Sequence, residues 1–328
     1  MRRRIIRLMT SFAAVGATSF CVVTSAAAAD YPSRPITLTL AFAPGGPSDV
    51  LARVLGRKLE QVLGQPLVID NRPGAGGNIA AEMVARAAPD GYTLLLANNG
   101  ILATNASLYK KINYDPERDF APISLIAMQA NALVVHPSLP AQSLAELIAL
   151  AKATPGKINF SSGGYGTTSH LTGELFKAET GVDIVHVPYK GAGPALQDLI
   201  AGHVQMMFAA VAASIGQIRD GTLRALAVTT RKRTTGLPNV ATVGELGVPG
   251  FDAASWHGLV APAGTPKEVI DALHRAMVAT LADPAVQKSL TDLGIDIEGT
   301  TPQEFDAYIK AEIPKWSAVV KASGAKLD

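Results

Sequence analysis

The chain has 328 residues, with 29 basic and 27 acidic side chains, a formal net charge of +2 and 48% hydrophobic residues. Its first 29 residues contain four arginines and no acid, so residues 30–328 hold 25 basic against 27 acidic side chains and a net charge of −2. No long basic run remains there, which argues against nucleic-acid binding. The only cysteine is Cys21, so residues 30–328 form no disulfide and contain no thiolate metal ligand or cysteine nucleophile.

The N-terminus predicts a secretory signal peptide over residues 1–29. Four arginines precede an apolar stretch at residues 8–24, and three alanines at residues 27–29 fit a cleavage site before Asp30. A membrane anchor is the alternative, but the small-residue exit and the lack of a second apolar span argue against it. We therefore predict export through a cleavable signal peptide and a location in the periplasm.

The first part of the chain predicts alternating strands and helices. Strands are expected at residues 35–42, 66–70, 92–97 and 123–128. Ser48 is a suitable N-cap for a helix that ends at Gly64, and a second helix follows a glycine-rich turn and ends near residue 88. Fully apolar strands separated by helices predict a mostly parallel sheet covered on both faces.

The second part repeats the pattern. Strands are expected at residues 133–136, 158–161, 183–187, 205–208, 224–229 and 256–261. Helices are expected at residues 169–180, 194–202, 266–282 and 302–322, and after a capping box at residues 143–146. The last two helices are most simply packed back on the first lobe. We therefore predict an α/β fold with a discontinuous lobe 1 (residues 30–131 and 253–328), a lobe 2 (residues 132–252) and a ligand cleft between them.

Two loops stand out because each lies between a predicted strand and a predicted helix and is rich in glycine and hydroxyl side chains. The first has the sequence FAPGGPSD at residues 42–49, and the second has SSGGYGTTSH at residues 161–170. Free backbone N–H groups and the positive end of a helix dipole make such a turn an anion site. Two such sites far apart in sequence suggest two lobes that close on one small anionic ligand.

Several long motifs together resemble the Bug receptor family, also called TctC-like, the extracytoplasmic solute receptors of tripartite tricarboxylate transporters. The motifs are YPSRPI at 31–36, PGGPSD at 44–49, NRPGAGGN at 71–78, APDGYTL at 88–94, VPYKG at 187–191 and APAGTP at 261–266. The resemblance covers essentially all of residues 30–328. It implies a two-lobed fold of the periplasmic-binding-protein type (type II-like), no enzymatic activity, and delivery of a carboxylate to membrane permease subunits.

One position departs from the family pattern. The strand that contains residues 206–208 is commonly followed by an aspartate in similar receptors, whereas Ala209 and Ala210 follow here. An acid at that wall could face a ligand amine. Its absence favours an unaminated ligand, a mono- or dicarboxylate, aromatic acids included.

The two loops and the resemblance together define the candidate ligand-binding residues. They are Phe42, Gly45, Gly46, Ser48, Asp49, Asn98, Asn99, Ser161, Gly164, Thr167, Thr168, Ser169, His170, Tyr189, Gly191, Ala209 and Trp256. No catalytic residue, metal ligand or cofactor is expected, and the receptor is expected to be a monomer.

Each candidate also has a purely structural interpretation. Asp49 could simply cap its helix, and the loop glycines could simply permit tight turns. His170 could be a surface or packing histidine, and Trp256 a core residue at a hinge. Arg72 and Lys190 could pair with a second ligand carboxylate, but long basic side chains are usually solvated.

A secreted serine hydrolase is the alternative function. Residues 212–216 (AASIG) resemble a nucleophile elbow centred on Ser214, with alanine in the first position. A triad would also need an acid and a histidine downstream, and nothing in the spacing supports His257 or His274. The six histidines are scattered singly, without metal-ligand pairing, and no complete dinucleotide or Walker motif is present.

Overall fold

Ten strands and ten α-helices make up the described residues, 31–327, of the computed structural model, and the predicted signal peptide lies outside them. The strands are β1 Ile36–Leu40, β2 Leu67–Asn71, β3 Thr93–Asn98, β4 Phe120–Val135, β5 Asn159–Ser162, β6 Val185–Pro188, β7 Met206–Ala210, β8 Arg224–Val228, β9 Ala254–Pro262 and β10 Asp296–Ile297. The helices are α1 Pro47–Leu63, α2 Asn78–Ala85, α3 Asn105–Leu108, α4 Leu144–Ala153, α5 Thr168–Thr180, α6 Ala192–Ile200, α7 Val211–Arg219, α8 Lys267–Leu281, α9 Pro284–Asp292 and α10 Pro302–Ser323.

The strands form one continuous sheet in the order β2-β1-β3-β9-β4-β7-β5-β6, with β8 and β10 also paired to β4. Among the described residues, β1 runs parallel to β2 and β3, and β5 runs parallel to β6 and β7. Every other pairing is antiparallel and involves β4 or β9. The α/β class is therefore confirmed, but the predicted mostly parallel sheet is mixed, because its two long crossover strands run against their neighbours.

Strand β4 corrects one sequence prediction. Two separate strands were expected at residues 123–128 and 133–136, but β4 is a single strand of 16 residues. Its first part pairs with β9 as far as Ala130, and its last five residues pair with β7. The stretch between the two predicted strands, residues 129–132, is extended backbone that both parts of the sheet share.

The core lies on both faces of this sheet. One large apolar cluster joins α2, α4, α5 and α10 to the sheet and includes Phe160, Phe176, Trp256 and Phe305. A second, smaller cluster packs α6 and α7 against the opposite face of β4 and β7. Helices on both faces explain why the strands read as nearly continuous apolar runs.

Helix ends follow local sequence signals where those signals are strong. Gly64 adopts a left-handed conformation and ends α1, as predicted. Ser143 caps α4 by accepting the Glu146 N–H, but the Glu146 carboxylate accepts the N–H of Gln142, so the reciprocal bond of a capping box is displaced by one residue. Helices α3, α7 and α9 were not predicted.

Residues 32–328 form one compact unit. The lobe boundaries at residues 131/132 and 252/253 stay a prediction. Within residues 31–327, no helix combines the length and apolarity needed to cross a membrane. No group of three or more His, Cys, Asp or Glu side chains in that range could hold a metal ion.

Candidate functional site

The two predicted loops lie at the carboxyl ends of parallel strands. The first loop, residues 42–49, follows β1, and the second loop, residues 161–170, begins in the last residues of β5. The turn into α6 follows β6, which is parallel to β5, so it shares an edge with the second loop. Ligands of open α/β sheets bind at the carboxyl ends of the strands. Strand β5 runs opposite to β1, so the two carboxyl ends face each other, and both loops contact the start of β9 through the Ser48–His257 and Ser255–Thr168 bonds. The junction of the two loops is therefore the candidate ligand-binding site.

The first loop enters α1 without a side-chain cap. Gly46 is the N-cap residue, Pro47 occupies the first helical position, and no side chain bonds to the helix start. The predicted N-cap role of Ser48 is therefore wrong, because Ser48 is the second residue of the helix. The first N–H groups of a helix have no intrahelical partner. Pro47 has no N–H, so in α1 the amides of Ser48 and Asp49 are the ones without a capping partner.

Ser48 instead pairs with a histidine of the crossover strand. Its Oγ lies 2.9 Å from Nε2 of His257 on β9, and both residues are buried. Burial lowers the pKa of His257 to about 4, so this imidazole is neutral at physiological pH. His257 pairs in register with Asn98 at the end of β3, which brings Asn98 to the same edge of the sheet.

Asp49 closes the first loop on itself. Its Oδ2 accepts the Gly45 N–H at 3.0 Å and Arg53 Nε at 2.8 Å, and its Oδ1 accepts Asn71 Nδ2 at 3.3 Å. The hydrogen bond from Arg53, reinforced by the Gly45 N–H, lowers the pKa of Asp49 to about 2. Asp49 therefore neither caps α1 nor offers a free carboxylate to a ligand amine.

The glycine amides of the second loop are already bonded inside the loop. Gly163 N donates to Ser169 Oγ at 3.2 Å, Gly164 N to Ser162 Oγ at 3.0 Å, and Gly166 N to His170 Nδ1 at 3.1 Å. The expectation that these amides bind an anion directly is therefore not supported. Their bonds fix the backbone that leads into α5.

The end of α5 offers hydroxyl groups. Thr167 is the N-cap of α5, since its Oγ1 accepts the His170 N–H and donates to the Gly164 carbonyl at 2.7 Å. The next residue, Thr168, accepts a hydrogen bond from Ser255 Oγ of β9 at 3.1 Å. Because Thr168 is the acceptor in that bond, its own hydroxyl hydrogen is left for a ligand oxygen.

Strand β9 faces this site with Ser255 and His257, and Trp256 points the other way. Trp256 is fully buried, packs edge-on against Phe305 and donates its Nε1–H to Glu312 on α10. Side chains alternate along a strand, so the neighbours of a core residue face the opposite side. Trp256 is thus a core residue and not a ligand wall. The period-two alternation is a sequence signal that places Ser255 and Trp256 on opposite faces, although it does not show which face is the core.

Helix α6 supplies a third helix start, beside the second loop. Its N-cap is Gly191, which has a positive φ of 120° and no side-chain cap, and Gly191 N bonds to the Gly163 carbonyl at 3.1 Å. Pro194 has no N–H, so Ala192 and Gly193 carry the free amides of this first turn. Tyr189 is held against the helix by its hydroxyl, which donates to Asp198 at 2.6 Å.

Four other predicted residues have structural partners. Ser161 is fully buried and donates its hydroxyl to the Ala195 carbonyl of α6 at 3.1 Å. Ala209 lies in the smaller apolar cluster, whereas Ala210 is exposed at the end of β7. The carbonyls of Phe42 and Asn99 accept bonds from Asn71 and Thr104, respectively. These contacts assign the Ser161 and Ala209 side chains to packing under the loops.

The basic side chains near the loops are not arranged as a carboxylate clamp. Arg53 is bound to Asp49, and Arg72 is bound to Asp70 at 2.8 Å. Lys190 is exposed. A depression of about 790 Å³ is lined by residues of α1, β2 and α9 and by none from either loop, so cavity size does not locate the site. The strand and helix ends locate it.

The structure gives no support to a serine hydrolase. Ser214 is buried within α7 and donates its hydroxyl to the Ala210 carbonyl at 3.1 Å, as a helical serine does. The Ser48–His257 pair lacks the third member of a triad, because His257 Nδ1 has no hydrogen-bond partner among the described residues.

Comparison with known proteins identifies relatives over nearly the whole chain. Residues 51–325 match the model of the tripartite tricarboxylate transporter family receptor, TctC. Protein BugT of Bordetella pertussis is 42% identical over 298 residues, which are 90% of this chain and 91% of that protein. No support for an enzyme comes from these matches.

Solved structures show the same two-lobed periplasmic-binding-protein fold. The R. palustris protein Rpa4515, solved with adipate, matches with a TM-score of 0.74 and 42% identity over 91% of this chain and 100% of that chain. MatC from Rhodopseudomonas palustris, solved with bound malate, matches with a TM-score of 0.69 and 34% identity over 88% of this chain and 100% of that chain.

Proposed function

Because the chain belongs to the receptor family of the tripartite tricarboxylate transporters, we propose that it binds an unaminated linear dicarboxylate between the helix starts of its two lobes. Members of this family are periplasmic solute-binding receptors that deliver carboxylates to a membrane transporter. The chain is accordingly a receptor and not an enzyme.

The observation that carries the dicarboxylate assignment is the pair of uncapped helix starts. Helices α1 and α6 both begin after a glycine, without a side-chain cap, at the carboxyl ends of parallel strands. Each offers free N–H groups and a positive dipole end, and α5 adds the Thr168 hydroxyl. One lobe can therefore hold one carboxylate and the other lobe the second.

The surroundings favour a ligand without an amine. Asp49 is the acidic residue of the first loop, and its carboxylate is occupied by Arg53, Gly45 and Asn71. Ala210 ends β7 where an acid could have faced an ammonium group. Two relatives solved with adipate and malate bind acids of this kind.

Ligand screening tests the proposal. Purified protein is freed of co-purified ligand, and thermal shifts are measured with succinate, malate, glutarate, adipate and pimelate, followed by calorimetry. At a hundredfold excess over Kd, a bound acid stabilises the folded state by about 2.7 kcal/mol. Hexanoate and 6-aminohexanoate are matched controls for adipate, because each lacks one carboxylate. Equal shifts with hexanoate and adipate would contradict the two-carboxylate site.

A pair of glycine variants tests the location. Gly193 of α6 and Gly216 of α7 both lie inside helices, and a Cβ at either one meets no protein atom within 4 Å. Alanine should therefore stabilise both helices, by roughly 0.5–1 kcal/mol. Gly193→Ala places a methyl group beside the α6 amides and should weaken ligand binding, whereas Gly216→Ala should leave it unchanged. Unchanged affinity in both variants would remove α6 from the site.

We also propose that the exported receptor is a monomer released by cleavage near Ala29–Asp30. The family is periplasmic, and the first 29 residues have the pattern of a signal peptide. N-terminal sequencing of the exported protein should start at Asp30, and light scattering should give the mass of one chain. A product that keeps Arg2 to Arg7 would contradict the cleavage.

A further inference from the structure

Two histidines stack beneath the second loop, His170 fully buried and His186 half-buried. The rings of His170 on α5 and His186 on β6 have centroids 4.0 Å apart and planes inclined by 29°. Tyr165, in the loop itself, meets both rings edge-on at 5.4 and 5.1 Å, and Phe160 stacks on the far side of His186 at 5.0 Å. We refer to His170 and His186 as the histidine stack.

Each ring of the histidine stack holds one part of the loop backbone. His170 Nδ1 accepts the Gly166 N–H at 3.1 Å. His186 Nε2 lies 2.6 Å from Ser162 Oγ, and that hydroxyl accepts the Gly164 N–H at 3.0 Å. Gly164 and Gly166 both have positive φ, 120° and 76°, so they depend on such bonds to hold an otherwise permissive backbone.

The bond to Gly166 requires a neutral ring. A ring nitrogen that accepts an N–H carries no proton, so His170 holds its proton on Nε2, which lies 4.0 Å from Glu174 Oε1. Protonation of Nδ1 would turn an acceptor into a donor that faces another donor. It would also place a cation in contact with His186.

We propose that His170 and His186 are positioning residues for the second loop, and that protonation of the histidine stack releases the loop and weakens ligand binding on acidification. This inference rests on the proposed function, because the second loop leads into the α5 start that holds the ligand. The two histidines act through the loop and touch no ligand themselves.

The charged groups that face the stack act in opposite directions, because Glu174 raises the pKa of His186 whereas Lys177 lowers the pKa of both rings. Glu174 and Lys177, both on α5, form an ion pair of 3.0 Å with each other. The other neighbours of the stack are uncharged side chains, Tyr165 from the loop and Phe160 and Ser162 from β5. Gly166 lies against the apolar Leu108. Burial is therefore the chief reason that the pKa of both His170 and His186 falls to about 4.

Nuclear magnetic resonance of the ligand-free protein tests the loop mechanism without any assumption about the ligand. The ring signals of His170 and His186 and the amide signals of Gly164 and Gly166 are followed from pH 7.5 to pH 4.0. We expect the rings to titrate at the low end of this range and the two amides to shift with the same midpoint. Rings that titrate near pH 6.5, or amides that do not follow the rings, would overturn the proposal.

Calorimetry with adipate tests the effect on binding. If only protein with both rings neutral binds adipate, the apparent Kd rises as that fraction falls. Half protonation of one ring near pH 4 raises Kd about twofold, and half protonation of both rings raises it about fourfold. The double variant His170→Asn, His186→Gln keeps an acceptor near each original nitrogen but cannot be protonated. Its Kd should change less between pH 7.5 and pH 4.0 than that of the unaltered protein. Protonation of adipate itself affects both proteins equally and cancels.

Single variants separate positioning from a general loss of structure. His170→Ala should weaken adipate binding at pH 7.5 by about two- to tenfold, and His170→Asn should recover part of that loss. His136→Asn is the control, since His136 bonds to Ser138 and touches neither loop. Circular dichroism at each pH confirms folding. An equal pH response in the unaltered protein and the double variant would refute the proposal. If adipate binds to none of these proteins while the resonance test succeeds, the dicarboxylate assignment fails and the histidine mechanism stands.

Discussion

The Ser48–His257 pair allows one prediction to be worked through in detail. Ser48→Ala removes the hydroxyl that lies 2.9 Å from His257 Nε2. His257 Nδ1 already has no hydrogen-bond partner among the described residues, so the variant leaves a buried imidazole without any partner. The helix itself is not uncapped, because the N-cap residue is Gly46.

The expected loss of stability follows from that orphaned ring. A buried polar group that loses its partner costs about 1–3 kcal/mol. The higher helix propensity of alanine relative to serine offsets this loss of stability by roughly 0.5 kcal/mol at most. We therefore expect Ser48→Ala to lower the free energy of unfolding by about 1–2.5 kcal/mol.

A double-mutant cycle isolates the pair. Ser48→Ala, His257→Leu and the double variant are unfolded with urea at pH 7.5, and equal m-values check that the transitions are comparable. Since removal of both partners leaves no orphan, the double variant should be more stable than the sum of the single losses predicts, by about 1 kcal/mol or more. Ser214→Ala is the matched control, because that buried helical serine only bonds to the carbonyl of Ala210, the N-cap residue of its own helix. A coupling energy of zero would show that the bond does not form in solution.

Three further predictions concern the core, the buried His257 and the two tryptophans. Gly258→Ala would drive a methyl group into the ring of Phe305 and should destabilise the fold by about 1–3 kcal/mol, with partial recovery in Gly258→Ala, Phe305→Leu, as measured by urea unfolding. Burial lowers the pKa of His257 to about 4, so the unfolded chain takes up its proton first as the pH falls. Stability should therefore be full above about pH 6.5 and decline toward pH 4 by up to about 3 kcal/mol for this residue, a part of the decline that His257→Leu should lose. Both tryptophans of the chain donate their indole N–H to Glu312, at 3.2 and 2.8 Å. Glu312→Ala should therefore shift the tryptophan emission and lower the free energy of unfolding by about 2–5 kcal/mol. Glu312→Gln keeps an acceptor, so both of its effects should be smaller. Equal spectra for the two variants would argue against the shared bond.

The places where sequence reasoning succeeded are those where the signal is local. The strand–loop–helix pattern located both loops, because glycine, hydroxyl residues and a helix start lie within ten residues of each other. One local signal was overlooked: Asp283 and Pro284, an N-cap followed by proline, begin α9, a helix that was not predicted. Helix α7 has no capping side chain, so its start carried no comparable signal.

The features that the sequence did not predict depend on pairing between distant segments of the chain. His186 lies beneath the second loop only because β5 and β6 pair in parallel with Phe160 opposite His186. No spacing within the chain encodes that register. Similarly, alternation along β9 shows that Ser255 and Trp256 face opposite sides, but only the position of α10 decides which side is core.

The bonding of the second loop bears on how such a receptor can change its ligand. The amides of Gly163, Gly164 and Gly166 are bound within the loop, so the loop is fixed before a ligand arrives. A fixed site loses little conformational freedom on binding. Under the proposed function, selectivity depends on side chains at the helix starts, such as Thr168, and on the residue that ends β7, Ala210. Relatives 34–42% identical to this chain were solved with malate and adipate, two acids of different length on one fold. We therefore expect substitutions at Thr168 and Ala210 to shift the preferred acid, and substitutions in the glycine loop to weaken binding of every acid alike.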